Sequence, residues 1–201
     1  MSIFRSSIKD ICNNKLKYHG HSANAHDGKI KNQLVIIRNP IDRFVSAVYY
    51  SLEKWSHEPQ IRYLIENNIN TPEKWIEIWS NPRNEHYRML MFEMLNRHHH
   101  IGNVIIPYKW VYSPQSFWIN NPQYVIIMDN LNDEMKYVMK NIGIDMKIPH
   151  HNKTKKSSYT LSKKSKDFLY NFYKKDFILY EKYKKIPLEE RIKIDDLLVN
   201  K

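Results

Sequence analysis

The most constraining stretch of this 201-residue chain is Leu34-Val-Ile-Ile-Arg-Asn-Pro-Ile-Asp. Its apolar run is strand-length and mostly β-branched, as in a strand buried on both faces. Gln33–Arg38 therefore reads as a short parallel strand. Asn39-Pro40 stops it and starts a helix. Asn39 is a good N-cap, Pro40 fits the first helical position, and Asp42 sits near the positive helix end. The helix should run from Pro40 to about Lys54 and bury Ile41, Phe44, Val45, Val48 and Tyr49.

The rest of the chain continues this alternation. Residues 5–16 read as a short helix on Ile8, Ile11 and Leu16, and residues 17–33 as a polar loop. Residues 55–100 are helical but interrupted. Thr71 caps a helix with Pro72 at its first position, and Trp75, Ile76, Ile78 and Trp79 follow. Arg83–Arg97 reads as a further helix, Asn103–Pro107 as a second strand and Pro114–Trp118 as a short helix. Tyr124–Met128 is a third strand, and Leu131–Ile142 a helix closed by Gly143. Lys147–Tyr159 is a basic loop. Ser162 caps a long helix to about Lys185, with Phe168, Leu169, Phe172, Tyr173, Leu179 and Tyr183 as its apolar stripe. Strands alternating with helices imply an α/β fold, a mostly parallel sheet flanked by helices. Nothing divides residues 1–201, so one domain is expected. Ligands in such folds bind at the carboxyl ends of the strands.

Composition removes several classes. No run of 18 apolar residues is present, so no membrane span is expected. The first twenty residues lack the apolar region of a signal peptide. A single cysteine, Cys12, excludes an internal disulfide framework and a cysteine-rich zinc site. A soluble, cytoplasmic chain is the expectation. The net charge is +11, which suits a polyanionic partner but also serves solubility alone. Its distribution is more informative, since residues 147–185 hold 12 Lys against Asp167, Asp176 and Glu181.

Arg38 ends a strand at the ligand edge, and Ser46 follows two turns into the next helix. A planar fork of donors and a helical hydroxyl can together grip a phosphate dianion, with Arg43 as a second cation nearby. Spacing alone also describes a surface arginine and an ordinary helical serine, because Arg-x₇-Ser recurs by chance.

The whole segment Arg38-Asn-Pro-Ile-Asp-Arg-Phe-Val-Ser-Ala47 adds a resemblance. It is similar to the 3′-phosphate-binding signature of sulfotransferases that use 3′-phosphoadenosine 5′-phosphosulfate (PAPS), above all the Golgi-type carbohydrate enzymes of the uronyl and heparan 2-O branch. The resemblance implies a P-loop-NTPase-like sulfotransferase fold and a carbohydrate hydroxyl as acceptor. It implies that Arg38 and Ser46 hold the 3′-phosphate. Tyr18-His-Gly-His21 resembles the His-Gly-His of that branch, which implies His21 as the base that takes the acceptor proton, with His19 beside the substrate. Pro114-Gln-Ser-Phe117 is similar to the family's Pro-Gln-Ser segment. His151-Asn-Lys-Thr154 resembles the basic loop that closes over the nucleotide, implying Lys153 and Thr154 there, with Lys155 and Lys156 as candidates for the anionic acceptor. Asp176-Phe177 and Leu179-Tyr180 are similar to the family's final helix. The family opens with a strand and a Lys-x-Gly-x-Thr-type loop for the 5′-phosphosulfate. This chain has no such loop before Gly20, and only Ser6-Ser7, behind Arg5, align with its end. The first strand and loop are therefore expected to be absent from this chain.

The chemistry suits these residues without the family. Sulfuryl transfer to an alcohol depends on positioning and charge stabilisation, and a histidine base titrates in the right range. No metal is required. His98-His99-His100 and His150-His151 read as solvated turns, because adjacent side chains do not converge on one ion. Trp55, Trp75, Trp79, Trp110 and Trp118 could stack on sugars but read first as core. Glu189-Glu190 and Asp195-Asp196 read as solvated faces. Two further readings stay open. One is a non-catalytic descendant that binds 3′-phosphoadenosine 5′-phosphate (PAP), another nucleotide or a sulfated glycan. The other is a basic nucleic-acid-binding module, although no recognition-helix or RNA-binding motif is present.

Overall fold

The structure is a computed structural model that describes residues 34–95, 100–101, 104–105, 108–109, 111–117, 119, 124–141 and 159–191. The expected helix over residues 5–16, the loop over 17–33, Gly143 as a helix stop, most of the basic loop 147–159, and Cys12, His98, His99, His150, His151, Trp110, Trp118, Asp195 and Asp196 lie outside the described residues. The chain forms two compact units.

The first unit takes residues 1–38, 115–153 and 178–201. Strand β1 (Leu34–Ile37) pairs in parallel with β4 (Tyr124–Ile127), with Leu34 opposite Tyr124 and Ile37 opposite Ile127. Both strands are apolar throughout, but burial on both faces holds only for β4, where Val125, Ile126 and Ile127 are buried; in β1 only Ile37 is buried and Ile36 is exposed. Ile37, Val125, Ile127 and Tyr180 form the core of this unit. A single 3₁₀ turn over Met128–Asn130 leads from β4 into helix α5 (Leu131–Asn141). From α5, Glu134 reaches back and accepts from the Ile127 amide at 2.7 Å. The short helix α8 (Leu188–Arg191) supplies Arg191, whose fork meets both oxygens of Glu134 at 3.0 and 2.8 Å and also donates to the Val125 carbonyl. Arg191 is thus turned inward, whereas Glu189 and Glu190 are exposed as expected.

The second unit takes residues 39–114 and 154–177. Helix α1 spans Pro40–Lys54, the expected limits, with Asn39 accepting from the amides of Ile41 and Asp42. Helices α2 (Pro59–Glu66), α3 (Pro72–Trp79) and α4 (Tyr87–Met94) follow. The Thr71 side chain caps α3, accepting from the Lys74 amide. Ser162 caps α6 (Lys163–Phe172) through the Ser165 amide. Glu73 of α3 completes that cap, accepting from the Ser162 amide at 3.1 Å and the Ser165 hydroxyl at 2.8 Å. Burial would raise the Glu73 pKa, but the bonds from Ser162 and Ser165 outweigh it and leave the carboxyl below its ordinary value. Trp75 and Trp79 are core residues. Trp79 stacks on Phe44 and meets Phe168 and Phe172 edge-on.

Three expected elements differ. The helix expected over Arg83–Arg97 is confined to Tyr87–Met94. The side chains of Asn81 and Asn84 accept from the amides of Arg83 and His86, and these local bonds hold turns in place of a first helical turn. The second strand, expected over Asn103–Pro107, is Val104–Ile105 (β3). It pairs antiparallel with His100–Ile101 (β2) and not with the parallel sheet. The long C-terminal helix breaks at Tyr173 and resumes as α7 (Lys174–Lys184). Tyr173 is buried there and donates to the Tyr112 carbonyl at 2.7 Å. No helix among the described residues is long and apolar enough to cross a membrane.

Candidate functional site

The parallel register sets the site's position. With Ile37 opposite Ile127, the chain leaves β1 at Arg38 and β4 at Met128-Asp129-Asn130 on the same edge of the sheet. This is the carboxyl edge, where α/β folds bind ligands. Met128, Asp129 and Asn130 are exposed and Arg38 is half-buried. Among the described residues the Arg38 guanidinium has no hydrogen-bond or ion-pair partner. Asp129 accepts a 2.5 Å bond from the Tyr180 hydroxyl of α7.

Arg38's backbone is held in a specific way. Its amide donates to Gln115 Oε1 at 3.0 Å, and Gln115 Nε2 donates to the Ile36 carbonyl at 3.1 Å. Gln115 opens the 3₁₀ turn Gln115–Phe117, where a short helix from Pro114 is expected. The sequence points to this residue only through the Pro-Gln-Ser likeness, which says nothing of its amide.

Ser46 lies in the second unit, half-buried on α1, and its hydroxyl likewise has no partner among the described residues. Arg43, expected as a second phosphate cation, is engaged otherwise. Its Nη2 donates to the Ser113 carbonyl at 2.5 Å, and its Nη1 lies 3.8 Å from the buried Asp176 carboxylate. Asp176 therefore carries an internal role that the sequence alone does not reveal. Beside the start of α1, a cavity of about 370 Å³ is lined by Asn39, Ile41, Asp42, Tyr159, Thr160, Leu161 and Lys166. The Tyr159 hydroxyl donates to Asp42 across it.

The remaining candidates Ser6, Ser7, His19, His21, Lys153, Thr154, Lys155 and Lys156 lie outside the described residues, as does the segment where the 5′-phosphosulfate loop would fall. Among the described residues there is no group of His, Cys, Asp and Glu side chains able to hold a metal ion.

A second polar cluster lies in the core of the second unit. Glu93 of α4 is fully buried and accepts from Lys109 Nζ at 2.7 Å, Gln60 Nε2 at 3.1 Å and the Tyr112 hydroxyl at 3.4 Å. Tyr112 shares a 2.5 Å bond with Ser51. Burial raises the Glu93 pKa above its ordinary value of 4.5, in spite of those donors. The folded state then holds this proton to higher pH than the unfolded chain, so its stabilising effect fades as pH rises. Denaturant titrations of wild type and Glu93→Gln should show it. The stability of wild type relative to the variant is expected to fall as pH rises above about 4.5. A pH-independent difference would contradict this.

The sulfotransferase family model matches residues 4–184, which include β1, Arg38, Ser46, Gln115 and all of α7. No curated protein and no solved structure matches the chain. With most of its length matched, and with helices and a small parallel sheet that suit an α/β sulfotransferase, the chain belongs to the sulfotransferase family.

Proposed function

We propose that this protein moves a sulfuryl group from PAPS to a hydroxyl of a carbohydrate acceptor, in the manner of the uronyl and heparan 2-O branch. The reading rests on one observation above the others. The segment that resembles the 3′-phosphate signature, Arg38 to Ala47, lies within the family match and runs from a strand end into a capped helix. The fold is read as P-loop-NTPase-like, with residues 1–201 working as one sulfotransferase domain. Arg38 and Ser46 bind the 3′-phosphate of the donor. Both side chains suit the task, since neither has a partner among the described residues and the guanidinium is always charged. Lys153 and Thr154 close the nucleotide site, and Ser6 and Ser7 face the 5′-phosphosulfate. His19, Lys155 and Lys156 contact the acceptor.

The reaction itself needs one proton acceptor. The acceptor hydroxyl oxygen bonds to sulfur, the bond from sulfur to the phosphate oxygen breaks, and that oxygen leaves with the electron pair as PAP. His21 takes the hydroxyl proton. The protein's other contribution is to hold the two substrates in line and to stabilise charge on the departing phosphate.

Calorimetric titration of PAP tests the nucleotide site. Wild type should bind, and Arg38→Ala should weaken binding by about 10- to 100-fold, the worth of a charge-assisted bond to phosphate. A folded wild-type chain that ignores PAP, or an Arg38→Ala variant with unchanged affinity, would refute the assignment. PAP binding without transfer to any uronic-acid glycan would favour the non-catalytic reading.

A further inference from the structure

We propose that Gln115 is a positioning residue for Arg38, and that its side-chain amide sets the affinity for a 3′-phosphate without touching the nucleotide. The proposal rests on the nucleotide reading above. Its basis is the pair of bonds that Gln115 makes to β1. In a parallel ladder, one residue of a neighbouring strand donates its amide to the carbonyl before the residue it faces. It accepts from the amide after that residue. Gln115 makes this same pair with its side chain. Nε2 donates to the Ile36 carbonyl and Oε1 accepts from the Arg38 amide, the two groups that flank Ile37. A side chain thus stands in for one residue of a strand at the end of β1.

The orientation of the amide follows from the network. A reversed amide would set N–H against N–H and oxygen against oxygen, so only one assignment satisfies both backbone groups. The consequence falls on Arg38. It is the first residue after β1, and its amide is the last backbone donor before the Asn39 cap of α1. Ile37, enclosed between the two bonds, is buried at 1% exposure, so the backbone there is anchored from both sides. The guanidinium that extends from this point has no partner of its own among the described residues. The backbone from which it projects therefore fixes the position of its Cα and Cβ and the volume that the fork can reach. Loosening that backbone lets the fork sample orientations that miss a fixed phosphate, and small misplacements are costly.

The test compares PAP with 5′-AMP, which lacks the 3′-phosphate, by calorimetry on the full chain. Wild type should favour PAP. Gln115→Met, which keeps length but removes the amide, should lower the PAP-to-AMP affinity ratio about tenfold and leave AMP binding unchanged. Gln115→Asn, with an amide one carbon short, should fall between. In an Arg38→Ala background, Gln115→Met should cost nothing further, whereas a merely structural role would lower the affinities for PAP and AMP alike. Arg38 amide exchange in wild type gives a reading free of any variant, and protection is expected. A solvent-exposed rate at Arg38 would overturn the clamp, and so would a folded Gln115 variant with the wild-type ratio. A wild type that does not prefer PAP overturns the nucleotide reading itself, and the positioning role falls with it.

Discussion

Turnover with PAPS and a uronic-acid-containing glycan is expected to fall by about 10²–10⁴ in His21→Ala, the usual contribution of a general base. The affinity for PAP should stay at the wild-type value, because the proposed role concerns the acceptor proton and not the nucleotide. An alcohol holds its proton far above neutral pH, so attack on sulfur is favoured when a group with a near-neutral pKa removes that proton in the transition state. The base must be neutral imidazole to act. The rate in wild type should therefore rise with pH as the imidazole loses its proton, and that limb should vanish in the variant. His19 shares the His-Gly-His segment and serves as the internal comparison. His19→Ala should raise KM for the glycan with a smaller effect on kcat. If His21→Ala retained wild-type turnover, the base would have to be sought elsewhere, whatever the standing of Arg38.

The largest effect on folding is expected at Glu134. Removing its carboxylate in Glu134→Ala should lower the unfolding free energy by about 3–5 kcal/mol. The pair is almost wholly out of water, with the side chains of Arg191 and Glu134 6% and 4% exposed. Arg191 meets both carboxylate oxygens, and Glu134 also accepts from the Ile127 amide at 2.7 Å. Truncation therefore strands a buried guanidinium and a buried backbone amide at once. The net worth of the pair is a separate matter, since both charges were desolvated to form it. Replacing both partners by apolar residues, Glu134→Leu with Arg191→Met, should cost much less than either single truncation. Urea unfolding of wild type, Glu134→Ala, Arg191→Ala and the double variant measures this. A loss below about 1 kcal/mol in Glu134→Ala would mean that water reaches the pair.

These results bear on how much of the protein is legible in its sequence. Helix α1 could be read to the residue, because its start is set by neighbours in the chain. The Asn39 side-chain oxygen Oδ1 meets amides two and three positions on, and Pro40 needs no donor there. The caps at Thr71 and Ser162 are legible for the same reason. Strands β1 and β4 show as apolar runs, and the edge carrying Arg38 follows from their being parallel. The proposed base and phosphate ligands were reached by likeness to a family, which carries residue types and order but no distances.

Other features depend on pairings that the local pattern does not name. The pairing of His100–Ile101 with Val104–Ile105 is antiparallel. Gly102-Asn103 between them is a hairpin signal that a reading tuned to parallel strands passes over. At the break, the buried Tyr173 hydroxyl meets the carbonyl of Tyr112, 61 residues away. Arg43 reads in sequence as a ligand for phosphate, yet it is spent on Ser113 and Asp176. Arg191 carries no local signal for its place, buried against Glu134. Gln115 shows no signal at all for its clamp on Ile36 and Arg38. Caps, turns and strand-length apolar runs are local chemistry, decided within about four residues, so the sequence states them directly. A long polar side chain has no preferred partner until the fold brings one within 3 Å, and desolvation then decides whether that partner is obligatory.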